Sequence, residues 1–133
     1  MEFLDEKTYV DQAEKVIETL VKTKTDKDGN PITLVTTSKM RTILSMAADI
    51  YDSVSVQNAP VLDADTISRI EYLRVRMIYE AGREPKSVKP FIEIAKLLDY
   101  VKAIGDDKKR YILFYHYLEA LVAFRKYMGK WDD

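Results

Sequence analysis

The chain has 133 residues, of which 47% are apolar and 32% charged, so it is long enough to fold as one domain with a sizeable hydrophobic core. It contains no cysteine and one histidine, which excludes disulfides, thiolate metal sites and histidine-based metal clusters. The net charge of −1 argues against a protein that coats DNA generally. No apolar run approaches the ~20 residues that span a bilayer, and the first residues do not resemble a signal peptide. We therefore expect a cytoplasmic protein with no membrane partner.

Helical periodicity runs through most of the sequence, and four glycines and four prolines are few enough to permit it. Apolar spacing predicts five helices, at about 8–22, from 37 or 38 to about 53, at about 65–81, roughly 87–104 and about 107–128. Loops are expected at about 23–36 and 54–63. We predict an all-α fold, a compact five-helix bundle that forms a single domain over 1–133, with flexible ends at 1–7 and 130–133.

The sequence offers little that would carry catalysis. It has no glycine-rich phosphate loop, no HExxH and no GxSxG motif. Asp49 and Asp52 have a spacing that could hold a divalent ion, but a solvated helix face is the simpler interpretation. The acidic stretch at 26–30 lacks the later glutamate of a calcium loop and is interpreted as a turn. His116 has only Glu119 nearby as a possible orienting group, so we expect a packed or edge histidine and no catalytic residue.

The third predicted helix carries the most informative pattern. Three arginines lie seven residues apart, and two tyrosines with the same spacing flank them: Arg69, Arg76, Arg83, Tyr72 and Tyr79. At ~100° per residue, side chains with this spacing share one face of a helix. Guanidinium groups bind phosphate and stack on bases, and phenol rings stack too, as in RNA recognition. The spacing fits equally well a solvated face whose arginines pair with Glu80 and neighbouring acids, and both interpretations stay open.

Charge is distributed unevenly along the chain. Residues 1–68 hold 7 Lys and Arg against 12 Asp and Glu, a balance of −5, whereas residues 69–130 hold 14 against 8, a balance of +6. A basic face built mainly from the second half is therefore possible. Four further cations extend the arginine pattern: Lys39 and Arg41 near the start of the second helix, Lys86 beyond the third, and Lys126 in the last. Lys126, like its neighbour Arg125, also suits the C-terminal dipole of that helix.

Arg74 is expected to have a structural role. Its position on the helix places it among Ile70, Met77 and Ile78 on the apolar face. A buried guanidinium needs a carboxylate, and Glu119, isolated in the most apolar helix, is the candidate partner.

Three longer segments resemble one known family. They are residues 36–45 followed by Asp49-Ile50-Tyr51, residues 72–83 (YLRVRMIYEAGR), and residues 117–129 (YLEALVAFRKYMG). All three are similar, in order, to the small subunit of the type III-A CRISPR effector, the Csm complex. The similarity runs from about residue 9 to 130. It departs from the family at Arg125, where many members have histidine, and at Lys130, where many have a second glycine.

The resemblance implies a small, all-helical, non-catalytic subunit without a cofactor that acts in antiviral defence. It implies that copies stack head to tail along the guide RNA–target RNA duplex, beside the backbone subunits and the large signalling subunit. Carried over residue by residue, it implies target RNA contact by Lys39 and Arg41 in the first segment and by Arg76 and Arg83 in the second. Arg69, Lys86 and Lys126 are RNA-binding candidates from the charge pattern alone.

A second hypothesis gives the same cations another partner. A helical protein–protein adaptor could bind an acidic protein through this basic face and never contact RNA. Spacing and charge do not separate the two hypotheses, because carboxylates and phosphates both bind guanidinium groups.

Overall fold

The computed structural model describes residues 2–129 of the chain. Within this range it has six helices: α1 (Tyr9–Lys22), α2 (Thr37–Ser55), α3 (Ala64–Arg83), α4 (Val88–Ile94), α5 (Leu97–Ala103) and α6 (Lys108–Met128). Residues 2–129 contain no β-strand, only two isolated bridges, Thr25 to Pro31 and Val61 to Asp107. The prediction of an all-α single domain is therefore confirmed. The expected flexible end at 130–133 lies outside the described residues.

The hydrophobic core lies where α6 packs against both α1 and α2, while α3 packs against α2 on one side and α4 and α5 on the other. The core contains one side chain from each of α1, α2, α3 and α6 that is at most 1% exposed: Ile17, Ile43, Met77 and Phe114. Full burial of such side chains stabilises the fold by roughly 1.5–3 kcal/mol each. The N-terminal segment also touches the core. Leu4 is buried, and the ring of Phe3 packs edge-on against that of Tyr100, with the two ring centroids 5.7 Å apart.

The helix starts follow from local capping. The side chains of Thr36 and Asp63 accept hydrogen bonds from the backbone N–H groups of Lys39 and Thr66, which begins α2 and α3 at those points. Hydrogen bonding from Thr66 also lowers the pKa of the Asp63 carboxyl, so this cap is charged at neutral pH. The caps fix the first residues of α2 and α3, the two helices that carry most of the basic candidates.

The predicted count of five helices is wrong, because the segment expected to form one helix at 87–104 forms α4 and α5. The chain breaks at Lys96, which adopts the left-handed conformation with φ 58°. The break allows α4 and α5 each to pack on α3. It also frees the carbonyl of Ala95, which accepts a hydrogen bond of 2.9 Å from the buried hydroxyl of Tyr117. Burial raises the pKa of that phenol, so it remains a donor at neutral pH.

Because the chain breaks at Lys96, we expect two glycine substitutions in this segment to change the free energy of unfolding in opposite directions. Lys96→Gly should raise the free energy of unfolding, because a left-handed residue with a Cβ costs roughly 1–2 kcal/mol that glycine avoids. Lys102→Gly, on the exposed side of α5, should lower it by about 1 kcal/mol, because glycine disfavours a regular helix. Urea unfolding of both variants checks the prediction. A loss of stability in Lys96→Gly equal to that in Lys102→Gly would show that no left-handed residue divides the segment.

The predicted pairing of Arg74 with Glu119 is wrong. Arg74 bonds to Glu71 one turn earlier on α3, at 3.4 Å, and its side chain stays 34% exposed. Glu119 bonds instead to Nδ1 of His116 at 2.8 Å, on the exposed side of α6. The buried face of α3 is centred on Leu73 and Met77, and Arg74 lies roughly 80° from its centre at ~100° per residue. Arg74 therefore lies at the edge of the packed face, within reach of solvent.

Candidate nucleic-acid interface

The basic candidates follow the α2–α3 pair from one end to the other. At one end, Nζ of Lys39 lies 3.2 Å from a carboxylate oxygen of Glu84, which joins the start of α2 to the end of α3. At the other end, Arg69 donates to the Ser53 hydroxyl at 2.9 Å and to the Asp49 carbonyl at 3.2 Å. The two helices are therefore antiparallel, and Lys39 and Arg69 lie at opposite ends of the pair.

Glu80 organises the middle of this surface. Its carboxylate is only 7% exposed and lies 3.9 Å from a nitrogen of Arg76 and 4.0 Å from a nitrogen of Arg83. The expected pairing of these arginines with Glu80 is therefore present. It leaves both guanidinium groups accessible, since the side chains of Arg76 and Arg83 remain 39% and 57% exposed. One buried carboxylate thus holds two cations in place without covering either.

Two tyrosines stand beside these arginines on the outer face of α3. Tyr72 and Tyr79 are 62% and 58% exposed, which is unusual for side chains of this size. The guanidinium of Arg76 lies over the ring of Tyr79, 5.9 Å from its centroid. Exposed phenol rings beside guanidinium groups are a surface on which bases can stack.

Three other candidates lie near the Lys39 end. The backbone carbonyl of Lys86 accepts from Thr33 at 2.9 Å, which brings the segment after α3 against the loop before α2. The last turn of α6, which carries Lys126, reaches the same loop through the hydrogen bond of its neighbour Arg125 to Val35. The side chains of Arg41, Lys86 and Lys126 are exposed. The fold therefore gathers cations from three separate segments around the start of α2.

Comparison with known proteins decides the family. The family model described as Csm2 type III-A matches residues 13–130. The CRISPR system Cms protein Csm2 of Streptococcus thermophilus is 39% identical over 132 residues, covering 99% of this chain and 100% of the relative. The Mycobacterium tuberculosis protein of the same name is 38% identical over 124 residues, covering 93% and 94%. This chain belongs to the Csm2 type III-A family. The resemblance seen in the three sequence segments is thereby confirmed.

Family membership does not assign the role of any residue, and the fold engages the candidate cations to different degrees. Arg69 is partly occupied by its bonds to α2, and Lys39 is half-exposed beside Glu84. Arg76 and Arg83 share Glu80. Cations that are held in place but still accessible lose less side-chain entropy on binding a phosphate. All seven candidates for RNA binding remain predictions.

Arg125 is the residue that the charge pattern misjudged. It is fully buried, and its Nε donates to the Val35 carbonyl at 2.7 Å, so it fastens α6 to the loop before α2. Gly129 leaves room for it, because a Cβ at that position would lie 2.3 Å from Nη1 of Arg125. A signal was present in the sequence, since Arg125 follows the buried residues Leu118 and Leu121 at helical spacing.

The acidic stretch at 26–30 that was singled out in the sequence has ordinary local partners. Asp26 accepts from the backbone N–H groups of Asp28 at 2.9 Å and Asn30 at 2.8 Å, so its stretch forms a turn. These hydrogen bonds, chiefly that from Asn30, lower the pKa of its carboxyl. Among residues 2–129, no three histidine, aspartate or glutamate side chains are grouped as metal ligands would be. In the same part of the chain, no helix has the length and apolar character of a membrane span.

Proposed function

We propose that this chain is the non-catalytic small subunit of a cytoplasmic type III-A CRISPR effector that acts in antiviral defence. In this proposal copies stack head to tail as a short filament along the guide RNA–target RNA duplex, beside the backbone subunits and the large signalling subunit. Each copy contacts target RNA through its basic face, which consists of Lys39, Arg41, Arg69, Arg76, Arg83, Lys86 and Lys126. Guide pairing selects the sequence, and this subunit follows backbone and shape.

The observation that carries the proposal is the length of the row of arginines on α3, from Arg69 to Arg83. Arg69 and Arg83 are fourteen residues apart on α3, which is about 21 Å of helix at 1.5 Å per residue. Cations spread over that distance match an extended polyanion better than a single small anion. The exposed Tyr72 and Tyr79 add stacking surfaces along the same line.

One observation favours the adaptor hypothesis as a second candidate. Val75 and Ile78 are 55% and 50% exposed on the outer side of α3, close to the arginines. Phosphate contact needs no apolar side chains, whereas protein interfaces commonly bury them. The same helix could therefore present arginines to an acidic protein with apolar residues at its edge.

Photocrosslinking in the assembled effector separates the two candidates. A guide-loaded complex containing this subunit is irradiated with target RNA that carries photoreactive nucleotides, and crosslinked peptides are identified by mass spectrometry. The RNA proposal expects crosslinks at Tyr72, Tyr79 or residues 36–41. Crosslinks that map to neighbouring subunits and never to this chain would contradict it and favour the adaptor. A complex that lacks only this subunit provides the control for peptide assignment.

A further inference from the structure

A groove between α2 and α3 has features that the basic face as a whole does not explain. It has a volume of about 510 Å³ and lies beside Arg69, Tyr72 and Arg76. Ile50 and Leu73 also line it, and both are at most 4% exposed, so they form an apolar floor. The groove thus combines an apolar floor, one exposed aromatic wall and two guanidinium groups.

Arg76 lines this groove and carries an unsatisfied donor. Its Nε is buried and has no hydrogen-bond partner among residues 2–129, while its terminal nitrogen lies 3.9 Å from Glu80. A buried N–H without an acceptor destabilises the free protein, because it has lost water and gained nothing. A shift of the Arg76 side chain toward an acceptor atom on a bound molecule would satisfy this donor, so binding at the groove would relieve the cost.

Arg69 differs because its position is fixed by the fold. Two of its N–H groups are used by Ser53 and the Asp49 carbonyl, which holds the guanidinium plane at the wall of the groove. A guanidinium has five N–H donors, so others remain for a ligand. Asp49 supplies the one carboxylate among the lining residues, and two arginines against one aspartate leave the lining with a charge of +1.

These features fit one ligand class, a nucleotide with an unpaired base. A base is planar and apolar on its faces, so it can lie over the floor and stack on Tyr72, while its phosphate reaches the guanidinium groups. A paired base cannot enter, because its faces and its hydrogen-bonding edge are already occupied. An acidic peptide would use the arginines but leave the apolar floor and the aromatic wall without a partner.

We propose that the groove between α2 and α3 is a nucleotide subsite that takes one unpaired RNA base against Tyr72 and its phosphate against Arg69 and Arg76. The subsite rests on the proposed function, because the nucleotide belongs to the RNA strand that the basic face follows. It adds a base-dependent contact to an otherwise electrostatic interaction, without reading the sequence, since every base has a face that stacks.

Tyr72 and Tyr79 form a matched pair for the test. They have the same side chain, similar exposure and the same helix face, but Tyr72 lines the groove and Tyr79 does not. The affinity of the full chain, and of the assembled effector, for a fluorescent single-stranded RNA 12-mer is measured by anisotropy. We expect Tyr72→Ala to weaken binding at least about fivefold, Tyr72→Phe to restore it to within about twofold, and Tyr79→Ala, which removes a stacking ring outside the groove, to weaken it clearly less than Tyr72→Ala does.

A second pair tests the arginine. Arg76→Lys keeps the charge but removes Nε, so it should weaken RNA binding about threefold or more, whereas Arg83→Lys, which keeps a cation on the basic face outside the groove, should weaken it less than Arg76→Lys does. A 12-mer with abasic residues keeps the phosphates and lacks the bases. It should bind the unaltered protein no more tightly than intact RNA binds Tyr72→Ala.

The outcomes separate the subsite from the proposed function. RNA binding that is equally sensitive to Tyr72→Ala and Tyr79→Ala, or that is unchanged with abasic RNA, overturns the subsite and leaves RNA contact by the basic face intact. Competition by a polyglutamate 12-mer as effective as that by RNA overturns it in favour of an acidic peptide. Absence of RNA binding by this subunit, both alone and within the effector, overturns the proposed function and the subsite together. Thermal unfolding of each variant checks whether the substitutions leave the fold unchanged.

Discussion

Replacing Arg41, Arg83 and Lys86 together by glutamine should weaken the binding of target RNA to the assembled effector by about 10- to 100-fold near 0.1 M salt. Each phosphate contact releases counterions and contributes roughly 0.7–0.9 to the slope of log K against log salt concentration. Loss of three contacts should therefore reduce that slope by about 2. The three side chains are exposed near the start of α2, so their removal should not unfold the protein.

A second triple variant has the same change in net charge and serves as the control. Lys15, Lys102 and Lys109 lie on other helices, α1, α5 and α6, and are also exposed. Their replacement by glutamine should leave the salt slope unchanged within about 0.5. Equal losses in both triple variants would mean that general charge, and not this face, attracts RNA. Normal affinity in the first variant would remove those three residues from the interface.

Four helices could be predicted from the sequence because their signals are local. Capping residues followed by apolar residues at helical spacing predict that α2 starts at residue 37 or 38 and α3 at about 65, and both starts lie within one residue of the structure, although the cap of α2 is Thr36. The break between α4 and α5 has no such signal. It occurs at Lys96, without glycine or proline, and depends on contacts with α3 and on the hydroxyl of Tyr117, which only the folded chain brings together.

Prediction from the sequence has the same limit for single side chains, as the arginines show. Spacing correctly grouped Arg69, Arg76 and Arg83 on one side of α3, because helix geometry alone decides that relation. It could not give the distances to Glu80 or the bonds of Arg69 to α2, since these depend on how two helices pack. The burial of Arg74 was overestimated and that of Arg125 was missed, although both follow from where the buried face of each helix is centred.

Arg125→Ala should cause the largest loss of stability among the arginine substitutions, about 3 kcal/mol. The guanidinium is completely buried and its Nε donates to the Val35 carbonyl. Its removal leaves that carbonyl without a charged donor, which costs roughly 1.5–3 kcal/mol, and also leaves a cavity in the core. The matched control is Arg74→Ala at the solvent edge of α3, which should change stability by less than about 0.5 kcal/mol. Urea unfolding measures both variants.

Arg125 also links stability to the proposed interface, because the loop it holds leads directly into α2. Val35 is followed by the Thr36 cap and then by Lys39 and Arg41. Arg125→Met keeps most of the volume but has no donor, so we expect it to unfold at lower urea than the unaltered protein and to bind RNA more weakly, with little change in its helix content by circular dichroism.

Gly129→Ala should act through the same residue, since the added Cβ would lie 2.3 Å from Nη1 of Arg125 and 2.5 Å from its carbonyl oxygen, which cannot move away without distorting α6. Variants at 125 and 129 as stable as Arg74→Ala would show that α6 does not hold the start of α2 in place.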